Sequence, residues 1–247
     1  MVEKYRDYIE NISKNTGFIG STLEKVDRLI RILEWMNSDE KLNKLLALKG
    51  GTAINTAIFN FPRLSVDIDL DLTENLSKEE MIKERENIHN LLVNYLNSNN
   101  YKINMEKSKN VYALDSIVAE YIDIKGNIDN IKIEINYMNR VHILETKRID
   151  VSTDVLKGKH LTIHCIHPIE IYAAKLCALL SRTTARDLYD VYTLSKYDLF
   201  DDEEKKLLKQ CLMLEYIAVN DYKLKDMKID NVERLKRQDI KTKLLPT

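Results

Sequence analysis

Apolar residues recur at helical spacing through Val26, Leu29, Ile30 and Leu33. The preceding Ser21-Thr-Leu-Glu24 has the form of a capping box, so a helix is predicted over residues 22–37. The short run Leu45-Leu-Ala-Leu48 ends at Gly50 and Gly51 and predicts a buried strand that hands over to a turn, with Thr52 to Phe59 helical. Pro62 interrupts that segment. From Val66 the pattern alternates: Val66, Ile68, Leu70 and Leu72 point one way, and Asp67, Asp69 and Asp71 the other. A strand has a period of two, which sets the three carboxylates on one face. Ser77-Lys-Glu-Glu80 is a second capping pattern, followed by a stripe of Ile88, Leu91, Leu92, Tyr95 and Leu96. Strands are predicted next over 101–105, 111–117, 118–124 and 131–137, with a turn at Gly126-Asn127. Beyond Pro168 helices are predicted over 169–181, 185–195 and 203–219. The change of period near residue 160 divides the chain into a mixed-sheet core with a helical lead-in, residues 1–160, and a helical part, residues 161–247. This is an α+β organisation.

Composition narrows the class. With 44% hydrophobic and 31% charged residues the chain should fold throughout. Its 38 basic residues nearly balance 39 acidic ones, so global charge is silent about a polyanionic partner. The best local candidate is the segment from Lys223 to Lys243, with eight basic and four acidic residues, although a solvated terminal helix is the favoured reading of it. Cysteines at 165, 177 and 211 are odd in number and lack metal-like spacing, which predicts reduced thiols and a cytoplasmic protein. The chain opens with charged residues, and no apolar run approaches the roughly 20 residues needed to cross a bilayer, so neither export nor a membrane is expected.

The candidate chemistry concentrates between Lys49 and Asp71. Transfer from a nucleoside triphosphate needs hard oxygen ligands for magnesium, and Asp67 and Asp69 supply two side by side, with Asp71 a step further down the strand. Gly50 and Gly51 allow backbone amides to approach a phosphate, and Thr52 adds a hydroxyl at the start of a helix. Glu134, in Lys132-Ile-Glu-Ile-Asn136, has two readings: a third acid, if its strand lies beside that of Asp67, or an exposed residue paired with Lys132. Lys175, in an otherwise apolar helix, shares a face with Ala178 and Arg182. Either it snorkels to the surface, or it and Arg182 meet the triphosphate and offset charge that builds during transfer. Arg186 and Asp190 stand at i, i+4, with Asp187 beside them; they form an ion pair that orients the lysine or a second metal-facing group. His160, His164 and His167 lack any metal spacing, and Cys177 reads as core.

Taken together, Lys49-Gly-Gly-Thr52, Arg63-Leu-Ser-Val-Asp-Ile-Asp69, Lys132-Ile-Glu134, Lys175, Arg182 and Arg186-Asp-Leu-Tyr-Asp190 resemble the AbiEii/AbiGii family of nucleotidyltransferase-like toxins. The likeness covers residues 45–195. It implies a polymerase-β-like nucleotidyltransferase core followed by a helical part, dependence on Mg2+, an NTP substrate, a cognate antitoxin and, from some members, an acceptor at the 3′ end of tRNA whose modification blocks translation. By the resemblance Ser65 and Asp67 match a Ser-x-Asp element, Asp69 the second metal carboxylate, Lys175 the motif lysine, and Asp187 and Asp190 the late acidic motif. Gly51 and Thr52 match the phosphate-binding turn, and Glu134 stands where such a core uses Asp. Lys175 is then expected to fold back over Asp67. Two rivals share this core: an enzyme acting on a protein or small molecule, and a GTP-binding module without turnover.

Overall fold

The computed structural model describes residues 2–58, 64–153, 159–197, 199–219, 230–233 and 235. The chain separates into two compact units. The first comprises residues 1–142 and 146–166, the second 143–145 and 167–247.

The first unit holds a single mixed sheet. Its strands are β1 (Leu46–Lys49), β2 (Asp67–Leu72), β3 (Lys102–Ile103), β4 (Lys109–Val111), β5 (Leu114–Ile122), β6 (Ile128–Asn136), β7 (Lys147–Thr153) and β8 (Lys159–Cys165). They run in the order β3-β5-β6-β2-β1-β8-β7, with β4 on β5. β2 is central, antiparallel to β1 and parallel to β6. The alternation read from the sequence is realised from Asp67 to Leu70 and Leu72, where Ile68, Leu70 and Leu72 are buried with Ile131, Ile133 and Ile135 of β6 and the aspartates take the opposite face; Val66 precedes the strand, and Asp71 is buried as well. Four helices precede or follow β1: α1 (Val2–Thr16), α2 (Gly20–Ser38), α3 (Glu40–Leu45) and the single turn α4 (Gly50–Thr52). The fifth, α5 (Lys78–Ser98), starts at a complete capping box between Ser77 and Glu80.

Three local expectations are corrected. No capping box forms at Ser21; α2 begins at Gly20 with no side-chain cap. Glu24 is instead fully buried and accepts hydrogen bonds from Arg28 and, at 2.9 Å, from the backbone N–H of Ile124. A buried amide needs its acceptor, and that demand outweighs an exposed helix end. The strands predicted over 111–117 and 118–124 are one strand, β5, preceded by a hairpin at Tyr112-Ala113, because β5 pairs with β6 without interruption from Leu114 to Ile122. Residues 53–58 are helical but π-wound, continuing α4, a rare winding often found at functional sites; Phe59 and Arg63 lie outside the described residues.

The second unit is helical. Its helices are α6 (Pro168–Arg182), α7 (Ala185–Lys196), α8 (Asp202–Val219) and the short α9 (Asp230–Glu233). Ile169, Ala173 and Cys211 form the buried centre, with Leu144, Phe200, Leu207, Leu208 and Leu212 packed around it. Most of the basic segment from Lys223 to Lys243 lies outside the described residues.

Candidate active site

Strand register assembles the polar face of the first unit. Lys49 on β1 stands opposite Asp69 on β2, and Asp69 opposite Glu134 on β6. One step along, Asp67 pairs with Lys132; one step the other way, Asp71 pairs with Asn136. Four carboxylates from two neighbouring strands thus share a small surface, and two lysines stand among them. Like charges this close repel, and each lysine relieves one acid. Lys132 Nζ lies 2.9 Å from Glu134 Oε1. Lys49 forms an ion pair with Asp71, which is only 2% exposed and also accepts from Asn139 Nδ2 at 3.5 Å. Burial pushes the Asp71 carboxyl above its ordinary value despite Lys49, the nearby His142 and Asn139. Asp71 is therefore part of the sheet's interior, while Asp67 and Asp69 keep half-exposed positions.

The glycine turn is shaped by Asp69. Gly50 has φ +70°, and a Cβ there would stand 2.5 Å from Asp69 Oδ2. A side chain would be strained by the backbone and would collide with the carboxylate, so glycine is what lets Asp69 lie over the turn. Thr52 is fully buried; its hydroxyl donates to the Asp67 carbonyl and lies 3.0 Å from Ser65 Oγ. Its role in the structure is to tie the turn to the start of β2, while Asn55 Nδ2 donates to the Gly51 carbonyl at 2.7 Å.

Among the described residues no group of three or more His, Cys, Asp or Glu side chains is gathered as a metal cage. The expected trio of Asp67, Asp69 and Glu134 is adjacent in register, but Glu134 is engaged by Lys132. Magnesium is usually held by one or two carboxylates together with substrate phosphates. The pair Asp67 and Asp69 would fit an ion that arrives with a triphosphate, with Glu134 opposite Asp69 in register and its Oε1 paired to Lys132.

The second unit builds a separate cluster on α6 and α7. Lys175 Nζ lies 3.2 Å from Asp187 Oδ1 and 3.0 Å from Asp190 Oδ2; both carboxylates are 1% exposed. Arg182 clamps Asp187 from its other side, Nε at 2.8 Å and Nη2 at 2.9 Å, and Thr184 Oγ1 donates to it at 2.7 Å. Burial alone would raise the Asp187 pKa, but the Arg182 and Thr184 hydrogen bonds and the charges of Lys175 and Arg182 overcome it and bring it to about 2. Lys175 does not snorkel: its side chain is 11% exposed and held at both acids. Asp190 meets Lys175 directly, whereas Arg186 is exposed. The turn between the helices carries Thr183 in the left-handed region, φ +50°, its hydroxyl donating to the Leu179 carbonyl at 3.0 Å.

Two participants were not singled out from the sequence: Lys49, as the partner of Asp71, and Thr184. Thr184-Ala-Arg-Asp187 is itself a helix-start pattern, and Thr184 is the N-cap of α7. Of the histidines, His167 caps α6 and accepts from the Ile169 N–H, and His164 meets Thr146 at 2.7 Å; burial lowers the His164 pKa. All three cysteines are free and buried, and burial pushes the Cys165 thiol up to about 12. No helix among the described residues is long and apolar enough to cross a membrane.

Comparisons agree with this fold. MenT4, a nucleotidyltransferase toxin from Mycobacterium tuberculosis, superimposes with a TM-score of 0.68 at 14% identity, over 95% of this chain and 79% of that one. JHP933 from Helicobacter pylori matches with a TM-score of 0.53 at 18% identity, over 93% of this chain and 100% of that one. At such identities the likeness speaks for the fold alone. No curated protein sequence matches the chain significantly. The family model described as nucleotidyl transferase AbiEii toxin, type IV toxin–antitoxin system, matches residues 31–245, and the chain belongs to that family of nucleotidyltransferase toxins.

Proposed function

We propose that the protein transfers a nucleoside monophosphate from an NTP to the 3′ end of a tRNA in the cytoplasm, with pyrophosphate leaving, and that a cognate antitoxin counters the resulting block of translation. The observation that carries this reading is the register that sets Asp69 between Lys49 and Glu134 with Asp67 one step away, beside a turn whose Gly50 has a left-handed backbone crowded by Asp69. Asp67 and Asp69 would hold Mg2+ bound to the triphosphate. The ion neutralises phosphate charge when present. Gly50 and Gly51 leave room for phosphate oxygens at the turn, Thr52 holds that turn to β2, and Ser65 orients the donor. Lys175 and Arg182 would offset negative charge that develops during transfer. Asp187 and Asp190 act through Lys175, as positioning residues that fix its ammonium in place.

The test is incorporation of each labelled NTP into purified tRNA by the wild type and by Asp67→Ala. Label in the tRNA with the wild type, and none with the variant at an unchanged melting temperature, is the expected result. Full incorporation by the variant would overturn the assignment of Asp67. Label in protein or in small molecules would overturn the acceptor, and tight GTP binding without pyrophosphate release from any NTP would overturn turnover itself.

A further inference from the structure

A cleft of about 610 Å³ lies in the first unit, beside the buried Glu24 and its partners Arg28 and Ile124. It is lined by Lys4 and Tyr5 of α1, Arg28 and Arg31 of α2, Tyr95 of α5 and Tyr101 beyond it. None of these elements carries Asp67, Asp69 or Glu134. Lys4, Tyr5 and Arg28 precede the segment matched by the family model, residues 31–245, so the family assignment does not account for them.

The lining is unusual in how its cations are held. Arg28 gives Nε and Nη2 to Glu24 Oε1 at 3.0 and 2.9 Å, and Arg31 gives Nε to Asp27 Oδ2 at 2.9 Å. Both carboxylates lie one helical turn earlier and are buried, Glu24 at 0% and Asp27 at 5% exposure. Arg28 also gives Nη2 to the Ile122 carbonyl at 3.4 Å, whereas Arg31, held by Asp27 at one edge, has further N–H donors at the surface. The acids fix the arginines from beneath, and the positive edges form the surface; Arg31 is 54% exposed. Asp123, which also lines the cleft, accepts from the backbone N–H groups of Lys125 and Asn127 at 2.8 and 2.7 Å. Aromatic rings complete the lining. Arg28 stacks over Tyr121 at 4.1 Å, Arg31 lies 5.4 Å from the Tyr5 ring centre, and Tyr95 stacks on Trp35 at 3.8 Å and 12°. Cations that reach phosphates, interleaved with rings on which bases stack, are what single-stranded nucleic acid and nucleotides require.

We infer that this cleft is a second nucleotide-binding site, in which Tyr95 and Tyr5 receive a base and Lys4 and Arg31, with Arg28 beside them, its phosphate, with a single-stranded RNA segment or a free nucleotide as the source. The site needs no metal and no transfer chemistry.

Trp35 is the chain's single tryptophan and stacks on a lining residue, so its fluorescence reports occupancy. The full-length protein is titrated in EDTA, without NTP, with AMP and with a single-stranded oligoribonucleotide of about ten nucleotides. Because turnover is not read, failure of the transfer reading leaves the result standing. Quenching of Trp35 is expected. Oligonucleotide affinity should fall about three-fold per phosphate contact between about 50 and about 200 mM salt. Lys4→Glu, on an exposed helical position, and Arg31→Gln, which leaves Asp27 its 2.7 Å bond from the Tyr5 hydroxyl, should each weaken it about three-fold or more at unchanged melting temperature. Tighter binding of the oligonucleotide than of AMP assigns a strand; equal binding assigns a free nucleotide. Unchanged Trp35 emission with both ligands, or unchanged affinity in both variants, overturns the proposal.

Discussion

The two charged clusters of this protein use the same residue types in opposite ways. On the sheet, Asp67, Asp69 and Glu134 are half-exposed, with Lys132 on Glu134, while the buried Asp71 takes Lys49. In the helical unit, Asp187 and Asp190 are buried, and Asp187 has two cations and a hydroxyl on it at once. The first arrangement leaves carboxylates where a ligand can meet them. The second commits them to holding Lys175 and Arg182 in place. The two charged clusters therefore suit two uses, contact and support, and burial tells them apart.

Substitutions should separate these uses, and the largest effect belongs to support. Asp187→Ala leaves Lys175 with Asp190 alone and removes the acceptor of Arg182, so unfolding free energy should drop by about 3–5 kcal/mol in denaturant titrations. A drop of under about 1 kcal/mol would place Asp187 among ordinary surface pairs. Contact residues should behave the other way. Asp69→Asn should lower nucleotide incorporation by about 10²- to 10³-fold with the denaturation midpoint unchanged, and a matching loss of stability would erase the distinction.

The pH dependence sharpens the same point. Asp187 falls from an ordinary 3.8 to about 2, so its ionised form is favoured by the fold. A depressed pKa contributes stability that is complete above the unfolded value and is lost as pH falls through the folded one. About 2 kcal/mol should disappear between about pH 4 and about pH 2, and Asp187→Asn should flatten that part of the stability curve. An unchanged curve would show that Arg182 and Thr184 do not hold the carboxylate.

Backbone effects are smaller. Gly50→Ala forces a side chain into a left-handed residue and against Asp69 Oδ2, which should destabilise by about 1–2 kcal/mol and reduce incorporation further by displacing Asp69. Thr183→Gly relieves a β-branched residue at φ +50°, and a gain of up to about 1 kcal/mol is expected in thermal melts, less what its hydroxyl contributes through Leu179.

Periodicity carried much of the fold. The alternation from Val66 to Leu72 put the aspartates on one face before any partner strand was known, and the capping box at Ser77 marked the start of α5. Helices α6, α7 and α8 were legible for the same reason, since local spacing records a local structure. Elements were lost where a long-range demand overruled the local signal. Ser21-Thr-Leu-Glu24 looked like a cap, but Glu24 serves an amide a hundred residues away. The helices α1 and α3 and the pairing of β7 with β8 were not singled out from the sequence, although α1 is amphipathic.

What the chain encodes locally is the set of chemically competent groups and the faces they occupy: carboxylates at every second residue of a strand, glycine before them, and a lysine in an apolar helix. Neighbourhood is a different kind of information. That Glu134 stands beside Asp69 but is bound by Lys132, that Lys49 neutralises Asp71, and that Gly50 makes room for Asp69 all follow from strand register and packing. Register is a property of two strands together, and the energy of a charge depends on its burial and its partners. Neither is written in the spacing of residues along one segment, so only the folded chain divides its acids into those that support and those that make contact.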